Sequence, residues 1–479
     1  DSKKLFDDNI TIQYKESFSS NFLNSHISTF QKKFIIRRFP KPSLKKIWEI
    51  IKSCIAAFLI KQSFHKLNKN RISNYESNSN IREPINQNEY IELDYNCCGS
   101  SFTACLIYHI IKEELLIIKK PCLNPNEKQK LVRREIDNYS KICHPFLPKF
   151  YGVCSTNPDF FVIEYIYGQT LSNIHEIDLS IDDQITIIFE LMLVLEYLHR
   201  NHFIYRDLKP NNVIVDGNKD IVLIDFDRMV DFQYSNDNAD FTADLGSRFV
   251  APEIQSNDIT YKCDVYSLGK MIYCIMKKEI SVNDENSNQN VDFGEYNEIL
   301  KIYKKCVLKD PNERPSLPQL IVEFYIEYYS NIHIKNLFER FENDFRQMMD
   351  DITFNILKKV KKNGNNTETL NNLGVLFNVS KVIDHDINKS IHYFQLAADQ
   401  NDPNAQFNLG SIYYQNELVP RDIKKAIMYY SQASYQGFLK AQLILGDIYY
   451  QNKYVDRNIN KAIYYYSLAA NQNDENAQL

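Results

Sequence analysis

The chain has 479 residues, of which 44% are hydrophobic and 24% charged, and its formal net charge is −5. This length allows two or three domains with a core each, and the composition excludes a disordered chain. The small net charge argues against a nucleic-acid-binding protein. The ten cysteines contain no C-x-x-C pair, which favours reduced thiols in a cytoplasmic protein over disulfides or metal ligands. No apolar run reaches the roughly 20 residues needed to span a bilayer.

Composition divides the chain into four regions. Residues 1–88 hold a basic segment and a polar linker, and residues 89–330 alternate short β-rich runs with amphipathic helical patterns. Residues 331–365 are typical of a connecting helix, and residues 366–479 repeat themselves. All candidate catalytic residues fall in the second region. The chain begins at Asp1 rather than at Met, so we expect the natural N-terminus to lie further upstream.

The basic segment allows two interpretations. Twelve Lys or Arg and one acid, Glu49, lie between Gln31 and Arg71, and an apolar stripe follows a predicted helix over residues 43–60. Such a helix can contact an anionic membrane surface, or it can dock on the neighbouring domain with its basic face solvated. Apolar residues such as Ala56 within the charged face favour docking on the protein.

The last region repeats every 36 residues. Leu-Gly pairs begin at Leu373, Leu409 and Leu445, and small or aromatic residues recur in the same register. The apolar positions within a unit have helical spacing, so each unit is predicted to be a pair of short helices. A single pair cannot bury its own apolar face, and stacked pairs form a solenoid. The final residues, 476–479, match the opening of a fourth unit, so we expect further repeats beyond them.

These residues resemble the Sel-one-like repeat, a relative of the tetratricopeptide repeat. The match covers three units and the start of a fourth within residues 366–479. The resemblance implies an all-α helical-hairpin solenoid, and solenoids of this shape offer a concave surface to a protein partner.

The strongest chemical motif is YRDLKPNN at residues 205–212. It resembles the catalytic loop of protein kinases, H-R-D-L-K-P-x-N, with Tyr205 in place of the His. The resemblance implies an α+β two-lobed kinase fold. It also implies that Asp207 orients the substrate hydroxyl, that Lys209 neutralises the γ-phosphate of ATP, and that Asn212 binds Mg²⁺. A Lys two residues after the Asp is the serine/threonine-type arrangement.

A second motif, LIDFD at residues 223–227, is an apolar run that ends in an acid. This pattern suits a buried strand that brings a carboxylate to a metal ion. It resembles the D-F-G element of kinases, which implies that Asp225 is the main Mg²⁺ ligand. Asp227 departs from the family because it replaces the Gly and adds a second carboxylate beside the metal.

The cation for the other phosphates is predicted at the end of an apolar strand, LLIIKK at residues 115–120. This strand resembles V-A-I-K, which implies that Lys119 contacts the α- and β-phosphates. Lys120 is the adjacent alternative, although strand alternation turns it to the opposite face. Arg133 is predicted to open a helix that runs to Lys141, and Glu135 on this helix matches the glutamate that pairs with the strand lysine.

The remaining motifs either match the kinase family less closely or concern residues with a structural role. By resemblance, the backbones of Glu164 and Ile166 bind the adenine edge, and Gly99 is the one glycine left of the loop that covers the phosphates. We therefore expect weakened nucleotide affinity. Glu253 and Arg314 match a buried ion pair of the family. The pair Arg248-Phe249, an Arg before an aromatic residue, resembles the pair found in the tyrosine-kinase-like group of serine/threonine kinases.

The sequence thus predicts an enzyme that uses ATP and Mg²⁺ to phosphorylate Ser or Thr on protein substrates, while its repeats recruit a partner or substrate. The alternative is a pseudokinase scaffold that binds nucleotide weakly and holds partners through its repeats. The active enzyme is favoured because all five residues of the phosphate and metal sites are present, namely Lys119, Glu135, Asp207, Asn212 and Asp225.

Overall fold

The computed structural model describes most of the chain from residue 90 onward. The described ranges are 90–98, 102–109, 114–121, 125–154, 160–232, 248–256, 259–280, 291–363, 366–383, 385–415, 418–451 and 453–472. The predicted helix over residues 43–60 and the phosphate-loop residue Gly99 lie outside these ranges. None of the described helices combines the length and the hydropathy that crossing a membrane requires.

The upper lobe is an antiparallel five-stranded sheet with one helix, α1 (Pro125–Lys141). The strand order is β1-β2-β3-β5-β4. Its strands are β1 (Tyr90–Cys98), β2 (Phe102–His109), β3 (Glu114–Pro121), β4 (Phe150–Val153) and β5 (Phe161–Glu164). Helix α1 begins eight residues before the predicted start at Arg133, because Pro125 fits the first turn of a helix, where its missing N–H is not needed.

The lower lobe is built around helix α2 (Ile181–Arg200), which is buried on nearly all sides. Ser180 caps this helix by accepting a hydrogen bond from the Asp183 N–H, and the Asp183 carboxylate accepts one from the Ser180 N–H in return. Around α2 pack α3 (Lys262–Lys277), α4 (Asn297–Cys306) and α5 (Leu317–Tyr328).

Short strands on the upper side of this lobe carry the loops of the candidate site. They form a three-stranded sheet in the order β6-β8-β9 and a pair, β10-β7. Their bounds are β6 (Gly168–Thr170), β7 (Phe203–Ile204), β8 (Val213–Asp216), β9 (Ile221–Leu223) and β10 (Val230–Asp231). The predicted ion pair is present at the far side of the lobe, where Arg314 binds Glu253 through contacts of 2.5 and 2.9 Å.

The connector differs from the single helix predicted for residues 331–365. It contains three helices, α6 (Ile332–Arg340), α7 (Glu342–Met348) and α8 (Asp351–Asn363). The prediction was wrong because Asp350 starts a new helix by accepting hydrogen bonds from the N–H and hydroxyl of Thr353, both at 2.9 Å. The two breaks turn the chain so that Phe341, Phe345 and Phe354 are all buried in a core that the connector shares with the preceding domain.

The predicted solenoid is confirmed. Three helical pairs follow the connector: α9 (Thr367–Val379) with α10 (Ile387–Asp399), α11 (Pro403–Gln415) with α12 (Ile423–Tyr435), and α13 (Leu439–Gln451) with α14 (Ile459–Ala470). In each pair two rings stack with planes within 10° of parallel, as Tyr413 and Tyr429 do at a centroid distance of 6.0 Å. Adjacent units are joined by contacts such as the hydrogen bond from the Tyr429 hydroxyl of α12 to Gln395 of α10, at 2.6 Å.

The glycine of each Leu-Gly pair lets the two helices of a unit approach closely. A Cβ added at Gly410 would lie 2.7 Å from two ring carbons of Tyr430. That ring is held in place by Phe407 at 5.6 Å and by a hydroxyl contact of 3.1 Å to Ser411. The helices cannot accept a methyl group at this position without moving apart.

Replacing Gly410 with Ala is therefore expected to destabilise the second repeat by about 1–2 kcal/mol, although Ala favours helix by about 1 kcal/mol. Hydrogen exchange of α11 and α12 in the intact chain measures the change. The control, Gln415→Ala, alters an exposed position of the same helix and should leave exchange unchanged. Unchanged or slower exchange in Gly410→Ala would contradict the packing described.

Candidate functional site

The strand lysine of the site is Lys119, near the end of β3. Its ammonium forms an ion pair with Glu135 of α1 and lies 3.4 Å from Asp225 Oδ1. Lys120 points to the opposite face, where it meets Glu92 at 2.5 Å. The alternation of side chains along the strand thus places Lys119, and not Lys120, beside the predicted metal ligand.

The Lys119–Glu135 pair is buried, since the Lys119 side chain is 12% exposed and the Glu135 side chain 0%. Burial raises the pKa of Glu135 to about 7, and the Lys119 ammonium opposes that rise. Burial also lowers the pKa of Lys119, but the negative charges of Glu135 and Asp225 outweigh it, so the pKa stays well above its usual value. The lysine is therefore a fixed positive charge at the edge of the cleft.

Asp207 is the centre of the catalytic loop. Lys209 Nζ lies 2.7 Å from Asp207 Oδ2, and the Asn212 carboxamide nitrogen donates to the same oxygen at 2.8 Å and to the Asp207 carbonyl at 2.9 Å. Arg228 Nη1 is 3.6 Å from the other carboxylate oxygen. These contacts fix the orientation of the carboxylate. The motifs had given no role to Arg228, because its contact with the catalytic loop is not encoded in local spacing.

Three carboxylates meet in front of Lys119. One oxygen each of Asp207, Asp225 and Asp227 lies within 4.8 Å of the others. Burial raises the pKa of Asp227, and the charges of Asp225 and Asp207 add to that rise. Carboxylate and carboxamide oxygens are the ligands that hard divalent cations prefer, so these groups and Asn212 fit such an ion. Asp227 belongs to this cluster, although the family pattern has Gly there.

Phe226, the residue after Asp225, packs the predicted metal-binding segment against α1. Phe226 is fully buried, and its ring packs edge-on against Tyr139 at 4.8 Å. The Asn138 side-chain nitrogen donates to the carbonyls of Phe226 and Met229 at 2.9 and 3.0 Å. Asp225 itself has a left-handed backbone, with φ of 68°, which neighbouring contacts must hold.

Tyr205, which stands where the family has His, packs in the core and also donates a hydrogen bond. Its ring lies 5.8 Å from that of Phe226, and its hydroxyl donates to the carbonyl of Ile224 at 2.5 Å. Burial raises the pKa of Tyr205 well above its usual value, so the hydroxyl keeps its proton. The bond fixes the backbone directly before Asp225.

The predicted adenine-contacting residues lie at the end of β5. Glu164 is the last residue of the strand, and its N–H donates to the Lys149 carbonyl at 2.8 Å. Ile166 lies two residues after Glu164, and its side chain is buried. The structure thus brings Lys119, Glu135 and Asp225 together and groups Asp225 with Asp207, Lys209 and Asn212, whereas the place of Gly99 is not described.

The buried ion pair gives a stability prediction. Lys119→Met leaves Glu135 buried without its cation, which is expected to cost about 3 kcal/mol. The double variant Lys119→Met/Glu135→Met removes both charges and should recover most of that loss. Lys120→Met is the control, since its pair with Glu92 is partly exposed and is expected to contribute less than about 1 kcal/mol.

Urea unfolding of the intact chain without nucleotide, followed by circular dichroism, compares the variants. A double variant no more stable than Lys119→Met would show that the cost lies in lost packing and not in the unpaired carboxylate.

Family comparisons agree with this architecture. The protein kinase domain family matches residues 99–326, and the Sel1 repeat family matches residues 367–402, 403–438 and 439–474. These ranges include the cleft and the three helical pairs.

Several named protein kinases are similar to part of this chain. The dual specificity protein kinase pyk3 of Dictyostelium discoideum is 28% identical over 262 residues, which cover 51% of this chain and 19% of pyk3. Serine/threonine-protein kinase D of Synechocystis sp. is 27% identical over 230 residues, which cover 43% of this chain and 45% of that protein. Serine/threonine-protein kinase OXI1 of Arabidopsis thaliana is 35% identical over 123 residues, or 25% of this chain and 29% of OXI1. The chain therefore spans less than half the length of each of these relatives. It carries a protein kinase domain followed by three Sel1 repeats.

Proposed function

We propose that the chain transfers the γ-phosphoryl group of ATP to Ser or Thr hydroxyls of protein substrates, with Mg²⁺ as the metal ion. The observation that carries this proposal is the convergence of Lys119, Asp207, Asn212 and Asp225 on one cleft, with Glu135 holding the lysine. Phosphoryl transfer requires little beyond positioning and charge stabilisation, and these side chains supply both.

Each side chain has a role that follows from its contacts. Asp207, oriented by Asn212, accepts the hydrogen bond of the attacking hydroxyl, and Lys209 stabilises the charge that develops on the transferred group. Lys119 binds the phosphates that remain with the nucleotide. A divalent cation held by Asp225 and Asn212 neutralises phosphate charge when it is bound.

The choice of Ser and Thr rests on Lys209, which follows Asp207 by two residues and contacts its carboxylate. One of the relatives named above, pyk3, is a dual specificity kinase, so phosphoamino-acid analysis of the product is the direct test of this choice. The pseudokinase alternative is less well supported, because the Lys119–Glu135 ion pair is formed and the residues predicted to bind the metal are all present. Asp227 adds negative charge to the site, but it removes no group that the reaction uses.

Transfer of labelled phosphate from ATP to a general protein substrate tests the activity. Asp207→Asn is expected to lower the rate by about 10²–10⁴-fold, because the variant loses the acceptor for the hydroxyl proton. Lys119→Met should also lose activity, whereas Lys120→Met, on the opposite face of the strand, should stay within a few-fold of the wild type. Equal rates of phosphate transfer by the wild type and by Asp207→Asn would favour the pseudokinase scaffold over the active enzyme.

We further propose that the repeats recruit a substrate or partner, as the sequence predicts for their concave surface. A groove of about 570 Å³ lies where the loops of the second and third units meet. Its apolar part contains Val419, Pro420 and Val455, and two rings, Tyr413 and Tyr454, flank it. A groove of this size accommodates a few side chains of a bound peptide.

The rim of the groove is basic. Arg421, Lys424 and Lys425 line it together with one acid, Asp422, which caps α12 by accepting the Lys425 N–H at 3.0 Å. Arg421 is held in place because its Nε donates to the Tyr414 carbonyl at 2.9 Å and its guanidinium lies 4.9 Å from the Tyr454 ring centroid. Within the described part of the chain, neither Arg421 nor Lys424 forms an ion pair. Charge complementarity therefore favours an acidic peptide segment with an apolar anchor.

A fluorescein-labelled peptide in which a Leu-Phe pair is flanked by acidic residues tests this groove by fluorescence anisotropy. The double variant Arg421→Glu/Lys424→Glu should weaken binding at least about tenfold, since it reverses two rim charges. Lys440→Glu changes an exposed lysine of the same repeats that does not line the groove, and should have little effect.

A version of the peptide with lysines in place of the acids should not bind, and added salt should weaken the acidic one. Equal affinities of Arg421→Glu/Lys424→Glu and Lys440→Glu for the acidic peptide would rule out this groove as the docking site. No binding by the wild type at low salt would rule it out as well.

A further inference from the structure

The connector contacts the catalytic domain at several points, among them the corner formed by Phe341 and Phe345 around the start of α7. Phe341 lies between α6 and α7 and is 5% exposed. Its ring stacks on His144 with centroids 5.2 Å apart and planes at 15°, and it packs on Phe146 at 5.4 Å. Both partners lie in the loop between α1 and β4, so this part of the connector touches an element of the upper lobe.

That loop joins the two parts of the site. At one end it continues α1, which carries Glu135. In its middle, the Phe146 carbonyl accepts a hydrogen bond from the Leu223 N–H at 2.9 Å, two residues before Asp225. His144 Nδ1 accepts the Phe146 N–H at 3.2 Å, which ties the two ring-bearing residues together. A shift of this loop therefore moves Glu135 and the Asp225 segment relative to each other.

The other side of the loop is fixed to the lower lobe. The Tyr197 hydroxyl accepts the Cys143 N–H at 2.8 Å, and its ring lies 4.7 Å from His144. The His144 ring is thus held by Tyr197 of α2 and by Phe341 of the connector. Removing Phe341 leaves one of these two supports.

The second residue of the corner has a different set of neighbours. Phe345 is 0% exposed and packs on Phe189 at 6.2 Å, on Tyr325 at 6.3 Å and on Phe338 at 4.5 Å. All three belong to the lower lobe or to α6. Phe345 is therefore as deeply buried as Phe341 but contacts neither His144 nor Phe146 through its ring, which makes it a matched control.

We propose that Phe341 is a positioning residue for phosphoryl transfer: it holds the loop after α1 so that Glu135 and Asp225 keep their places beside Lys119. This role rests on the proposed function. Because α8 and the first repeat share the same core as Phe341, the connector also gives the repeats a physical link to α1. A large ring at position 341 fills the space beside His144, and an Ala there leaves a cavity into which the loop can move.

The test compares Phe341→Ala with Phe345→Ala in the intact chain, at a temperature where circular dichroism shows both to be folded. Both should lower the thermal midpoint, by about 6–12 °C, because each loses a buried ring. Phe341→Ala alone should lower kcat about tenfold with a smaller change in the KM for ATP. Phe341→Tyr, which keeps a ring beside His144, should restore most of the rate.

Hydrogen exchange provides a second measurement, which does not depend on catalysis. Residues 132–149 should exchange about tenfold faster in Phe341→Ala than in Phe345→Ala. Equal kcat values and equal exchange in this segment for the two Ala variants would reduce Phe341 to a packing residue and overturn the proposal. If the wild type transfers no phosphate, the proposed function fails, and the exchange comparison still decides whether Phe341 holds the loop.

Discussion

The catalytic loop depends on one buried carboxylate, that of Asp264 at the start of α3. Its two oxygens accept the N–H groups of Tyr205 and Arg206, both at 2.8 Å, and His199 Nε2 lies 2.8 Å from one of them. Arg206 has a left-handed backbone with φ of 69°, which is unfavourable for a side chain with a Cβ. The two hydrogen bonds stabilise this conformation, and the sharp turn places the next residue, Asp207, in the cleft.

Charge is distributed unevenly across the cleft, and this unevenness determines what the cleft can bind. The Lys119 charge is balanced by Glu135, whereas Asp207, Asp225 and Asp227 together carry more negative charge than the neighbouring Lys209 and Arg228 offset. Like charges at this separation repel one another, so the cluster gains from a bound cation. The extra carboxylate of Asp227 increases that gain.

Local sequence patterns predicted the groups of the site but not the contacts that hold them. Lys119 and Asp225 stand out because each ends an apolar strand, and the period of 36 residues identified the repeats. The roles of Asn138, Arg228 and Phe341 could not be predicted, since each meets partners far along the chain and lies in no recurring motif. The connector was predicted as one helix, whereas the structure breaks it at Phe341 and again at Asp350. The second break depends on hydrogen bonds between Asp350 and Thr353, which the residue pattern alone did not single out.

The break in the connector has a physical reason that links the two halves of the molecule. The first unit of a solenoid has no preceding unit to cover its outer face, so another element must cover it. Helix α8 does this through Leu357 and Val360, which share a core with Leu373 and Phe377 of the first unit, and the Thr353 hydroxyl meets the Ser380 hydroxyl at 2.8 Å. One straight helix could not cover this face and also bury Phe341 and Phe345 against the catalytic domain. The turn at Asp350 meets both requirements, so the repeats and the kinase domain are packed on one core instead of being joined by a free linker.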